Sequence, residues 1–138
     1  MRYMGIDYGK VYTGIALSDD GGHMGFPRES ILTTPRLIDD LEAFIKKENI
    51  EGVVFGVSSN NGIPNAIVQE VQAVASSLHE KTGVPVFFED ESFTTQEARH
   101  KVGKEGFLSR IRHKVSKGGR KDASAAALIL SRFLEKQP

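Results

Sequence analysis

The chain has 138 residues, 39% of them apolar and 26% charged, with equal numbers of acidic and basic groups and no cysteine. That length predicts one domain, 1–138, with its own core, and the lack of cysteine excludes disulfides and thiolate metal sites. Four scattered histidines leave only an oxygen-rich cation site open, and with no basic-then-apolar leader or membrane-length apolar run the sequence predicts a cytoplasmic protein without membrane contact.

Met1–Asp20 reads as a β-hairpin. Tyr3, Met4 and Ile6 form the first strand and Thr13-Gly-Ile-Ala-Leu begins the second. Asp7-Tyr-Gly-Lys reverses the chain, with Gly9 expected in the left-handed region. Asp7, near the end of a strand, is either a turn former bonded to its own backbone or a carboxylate that holds a divalent cation.

A turn at Asp20-Gly-Gly-His leads into a third strand, His23–Thr34, whose Pro27 suits a strand start or an edge. Thr34 then caps a helix with Pro35 in its first position, running to about Glu48 on Leu37, Ile38, Leu41, Phe44 and Ile45. The apolar run Val53-Val-Phe-Gly-Val, within Ile50–Ser58, fits a parallel strand buried on both faces. A polar loop follows, then a helix from about Pro64 to Lys81 that stops at Gly83. Val84–Phe88 is the last strand and runs into Glu89, Asp90 and Glu91. Thr94 or Thr95 opens a helix to about Val102, Gly103–Arg120 reads as a glycine-rich charged loop, and Lys121–Lys136 closes the chain as a helix with a small alanine face. This order predicts an α/β fold with a mixed five-stranded sheet, three antiparallel strands and then parallel ones, flanked by helices.

Two features carry chemistry. Arg99–Lys121 holds nine Lys or Arg and one acid, Glu105, so a net +8 faces a remainder of −8. Such a segment is either a phosphate-backbone contact or a solvated loop balancing an acidic body. Asp7, Glu91 and Asp122 are the second feature, placed at a strand end, just past a strand end and in a first helical turn. Ligands of open α/β sheets sit outside the carboxyl ends of strands, where the first and last parallel strands can be neighbours and a helix start can bring Asp122 alongside. Three carboxylates brought together repel unless a cation such as Mg²⁺ or Mn²⁺ neutralises them. Two such ions can activate water and stabilise the leaving oxygen of a phosphodiester. Glu89 shares a strand face with Glu91 and, with Asp90, is a lesser candidate ligand. Asp122 also suits a helix N-terminus with no further purpose, and Glu91 a solvated turn.

Met4-Gly-Ile-Asp-Tyr-Gly, Thr13-Gly-Ile-Ala-Leu-Ser-Asp, Asp90-Glu91 with Thr94-Thr95, and Lys121-Asp-Ala-Ser-Ala-Ala-Ala-Leu-Ile-Leu together resemble the YqgF family. The match runs in order over nearly the whole chain. Proteins of that family are described as Holliday junction resolvases and as pre-16S ribosomal RNA nucleases. The resemblance implies a ribonuclease H-like fold and divalent-metal-dependent cleavage of structured RNA or branched DNA. Its acidic positions fall on Asp7, Glu91 and Asp122, which would serve as catalytic metal ligands for Mg²⁺ or Mn²⁺. Tyr12 and Ser92 stand where the family usually carries basic residues, Gly56-Val57-Ser58 replaces a Gly-Leu-Pro, and Asn61-Gly62 an Asp-Gly. Phosphate contacts would then fall to Lys10, Lys104, Arg110, Arg112, Lys114, Lys117, Arg120 and Lys121.

The leading expectation is an endonuclease acting on structured RNA, above all in 5′ processing of pre-16S ribosomal RNA, or on Holliday junction DNA, with ribosomal particles among its partners. It would act as a monomer, or as a homodimer if two symmetric cuts are made. The missing basic residues motivate a second reading, a nucleic-acid-binding protein of ribosome maturation with little catalysis. A third, a nucleotide-binding fold suggested by Asp7-x-Gly and Gly14, needs a second domain to enclose ATP.

Overall fold

The computed structural model describes residues 1–57, 66–90 and 123–137. Among them, β1 (Tyr3–Asp7), β2 (Tyr12–Ser18), β3 (Gly25–Leu32), β4 (Gly52–Val57) and β5 (Val86–Asp90) form one sheet in the order β3-β2-β1-β4-β5. β1 pairs antiparallel with β2, and β2 with β3, whereas β1–β4 and β4–β5 are parallel. Helices α1 (Leu37–Glu48) and α2 (Ala66–Thr82) cover one face, and α3 (Ser124–Glu135) covers the other. The predicted mixed sheet is present, but its first and last parallel strands are not neighbours. β4 lies between them because Val53, Val54 and Phe55 are all 0% exposed, which requires a strand on each side as well as helices above and below.

Strand alternation sorts the two cores. Met4, Ile6, Ile15, Leu17, Val53 and Phe55 pack with α1 and α2, while Ala16 and Val54 pack with α3. Gly5 lets α3 come close: a Cβ there would lie 2.7 Å from Leu130 Cβ and 2.9 Å from the Ala126 carbonyl oxygen. Phe133 sits on Tyr3 and Phe87, with ring centroids 5.6 and 5.1 Å away. Moving along β1 from Tyr3 to Gly5, the helix contacts step back from Phe133 to Leu130 and Ala126. The start of α3 therefore lies toward the Asp7 end of β1.

Several boundaries move from expectation for local reasons. α1 starts at Leu37, not Pro35; the Thr34 hydroxyl instead accepts the Arg36 N–H in the turn before it, and the helix has no side-chain N-cap. β5 starts two residues late, because Gly83 (φ 77°) returns its N–H to His79 to end α2, and Pro85 has only a carbonyl to offer, which accepts the Val53 N–H. β3 is an edge strand, and Pro27 lies opposite Ala16 at a register shift, where its missing donor costs no ladder bond.

Asp19 closes the β2–β3 turn, accepting the N–H groups of Met24 and His23 at 2.8 and 2.7 Å. Those bonds hold its carboxyl at about 2, against an ordinary 3.8. A depressed carboxyl adds stability above its unfolded value, and that contribution is lost as pH falls through the folded one. Asp19→Asn is therefore expected to be less stable than the parent at neutral pH, with the gap closing near about pH 2. Urea unfolding of both proteins at the two pH values checks this.

Candidate metal and nucleic-acid site

Asp7 is half-buried and ends β1, in register with Gly14 of β2. It has the same strand parity as Tyr3 and Gly5, so it belongs to the face that α3 covers. The β1–β4 register ends at Ile6–Phe55, and one step further places Gly56 beside Asp7 on the other side. Both neighbours thus lack side chains. On its own face, then, neither flanking strand sets a side chain level with the carboxylate. A carboxylate is a hard oxygen donor of the kind Mg²⁺ or Mn²⁺ takes, and the chain has no cysteine to favour a thiolate-bound metal.

Across β4, Gly56 pairs with Glu89, so Glu89 is level with Asp7 and two strands away, roughly 10 Å. Glu89 is 4% exposed and is already taken: Lys136 Nζ donates to its Oε2 at 2.6 Å and Arg132 Nε lies 3.8 Å from the same atom. A carboxylate buried this deeply needs such partners, since leaving it unpaired costs several kcal/mol. Glu89 therefore ties the end of β5 to the last turns of α3, and it is not free to serve as a metal ligand. Asp90, on the opposite parity, is exposed.

Glu91 and Asp122 lie just outside the described residues. Glu91 follows Asp90, the last residue of β5, and Asp122 precedes the buried Ala123 before α3. Lys104, Arg110, Arg112, Lys114, Lys117, Arg120 and Lys121 also lie outside the described residues. Lys10 is described and exposed in the turn that follows Asp7. Among the described residues no three His, Asp or Glu side chains stand close enough to hold a metal.

The turn between β1 and β2 differs from expectation. Gly9 is not in the left-handed region; what demands glycine is space, since a Cβ would lie 2.5 Å from the Tyr12 carbonyl oxygen. Thr33 Oγ1 donates to the Gly9 carbonyl at 2.6 Å and lies 2.7 Å from Thr13 Oγ1. Thr13 and Thr33 escaped the sequence reading, although a threonine in the otherwise apolar Thr13–Leu17 run was a visible anomaly. On the opposite face, Tyr8 packs against the α1/α2 core, and burial followed by the nearby Glu70 carboxylate raises its phenol above the ordinary value. It is a neutral hydroxyl at physiological pH.

A family model described as "RuvX: Holliday junction resolvase" matches residues 1–136. A protein of Nitratidesulfovibrio vulgaris (strain DSM 19637 / Miyazaki F) named "Putative pre-16S rRNA nuclease" is 34% identical over 137 residues, covering 97% of this chain and 93% of the relative. A protein of the same name from Anaeromyxobacter sp. (strain Fw109-5) is 33% identical over 138 residues, covering 98% and 97%. Among solved structures, T. thermophilus RuvC in complex with a Holliday junction substrate superposes with a TM-score of 0.61 at 17% identity, over 97% of this chain and 94% of that one. Fowlpox virus resolvase with its Holliday junction DNA does so at 0.55 and 9% identity, over 98% and 97%. At those identities the structural likeness speaks for the fold.

Proposed function

Because the chain belongs to the RuvX family of Holliday junction resolvases, we propose that it is a divalent-metal-dependent endonuclease, with Asp7, Glu91 and Asp122 as the metal ligands. The observation that carries this reading is Asp7 itself: a half-buried carboxylate at a strand end, between two glycines, on the face toward which the start of α3 is directed. Lys136 and Arg132 support the assignment by engaging Glu89, which leaves Glu91, the next acid in sequence after β5, as the candidate there.

When bound, Mg²⁺ or Mn²⁺ would supply an activated water and charge stabilisation at the phosphodiester oxygens. The chain's own residues do the rest. Asp7, Glu91 and Asp122 hold the cation; Lys10, beside Asp7, meets the phosphate backbone, and the basic residues from Lys104 to Lys121 extend that contact along the strand. Structured ribosomal RNA precursor is the favoured substrate, since the relatives matching at about a third identity over their whole length bear a pre-16S rRNA nuclease name. Four-way DNA is the competing substrate, bound by the two structural neighbours.

The test is cleavage of a pre-16S transcript and of a four-way DNA junction, each with Mn²⁺ and with chelator. Site-specific cutting of the transcript in Mn²⁺, abolished by chelator, is expected. Salt-sensitive binding of the transcript without cutting in either Mg²⁺ or Mn²⁺ would overturn the enzyme reading. No described helix is long and apolar enough to cross a membrane.

A further inference from the structure

The geometry points to Thr33 as a positioning residue for the Asp7 end of β1, acting through the Gly9 carbonyl and itself held by Thr13. This rests on the nuclease reading above. The turn Tyr8–Val11 joins Asp7 to β2 and carries Lys10. Thr33, just past the end of β3, grips that turn at two points. Its Oγ1 donates to the Gly9 carbonyl at 2.6 Å, and its N–H donates to the Val11 carbonyl at 2.9 Å. A hydroxyl has one proton. With the Thr33 proton committed to Gly9, the 2.7 Å contact with Thr13 has Thr13 Oγ1 as donor.

Thr13 is 0% exposed and shares its strand face with Ile15 and Leu17. Valine has nearly the same shape, and a hydroxyl buried without a partner is destabilising. The hydroxyl is accounted for by its bond to Thr33, whose own bond lands on the turn. A relay thus runs from the core to the backbone two residues beyond Asp7. The turn is also tight, since Gly9 leaves no room for a side chain against Tyr12. Cation ligands and phosphate contacts need placement within about 0.5 Å. An unfastened turn would let the Asp7 peptide and Lys10 drift together while the core of the sheet stays intact.

The experiment compares Thr33→Val with Thr33→Ser, which keeps the hydroxyl. Three quantities are read: the Kd for Mn²⁺ alone by titration calorimetry, kcat and KM for cleavage of the pre-16S transcript, and Tm. Thr33→Val is expected to bind Mn²⁺ about tenfold more weakly, in line with residues that orient a metal ligand indirectly, and to lose about tenfold in kcat. Thr33→Ser should restore both to within about twofold. A purely structural role would lower Tm while leaving Mn²⁺ affinity and kcat at the parent values well below Tm, and that result overturns the proposal. So does a serine variant as impaired as the valine one. If Thr33→Val does not fold, Thr13→Val keeps the Thr33–Gly9 bond but removes its support. A loss of about threefold in Mn²⁺ affinity is then expected, and none overturns the proposal. Failure of the nuclease reading looks different: the parent itself would bind no Mn²⁺, or Asp7→Asn would bind it as the parent does.

Discussion

Asp7→Asn is expected to slow phosphodiester cleavage about a thousandfold, equivalent to roughly 4 kcal/mol of transition-state stabilisation. The amide has almost the shape of the carboxylate, so the β1–β2 register through Gly14 should survive. What it loses is the negative charge that offsets a doubly charged ion. Gly14 and Gly56 bring no side chain that could take over, and Glu89, the nearest described acid on that face, is occupied by Lys136 and Arg132. Single-turnover cleavage in saturating Mn²⁺, beside circular dichroism and Tm to show an intact fold, measures the effect. Parent-like cleavage by the variant would remove Asp7 from the mechanism.

Gly5→Val should give the largest loss of stability. Its Cβ would fall 2.7 Å from Leu130 Cβ and 2.9 Å from a backbone oxygen of α3, before the two further methyl groups are added. Neither neighbour is the free end of a flexible side chain, so α3 must move outward or β1 must buckle. Overpacking a close interface costs about 3 kcal/mol. For a chain of this size that corresponds to a fall in Tm of roughly 10 °C. Thermal unfolding of Gly5→Ala and Gly5→Val should show a graded loss; a valine variant within about 2 °C of the parent would mean that α3 does not pack there as described.

Much of the architecture was legible because local rules and packing agree. The run Val53-Val-Phe-Gly-Val demanded burial on both faces, and β4 has it. Pro27 announced an edge, and β3 is one. The order of strands was not legible, since nothing in β5 states which strand it joins. The site divides the same way. Asp7 stood out because a carboxylate in a strand contradicts its neighbours. Glu89, a lesser ligand candidate in the sequence, has ion-pair partners that the sequence does not announce, because Arg132 and Lys136 lie far along the chain and meet it only through α3. The Thr13–Thr33–Gly9 relay joins three residues of three separate segments, a coincidence that pattern and propensity do not encode.

The packing of α3 also sets a schedule for the newborn protein. β1 to β4 come from the first 57 residues, yet the side of their sheet that carries Gly5, Ala16 and Val54 is closed by residues 124–135. A ribosome must therefore translate past the last helix before this surface is sealed, and until then the growing chain exposes a greasy sheet that invites chaperones.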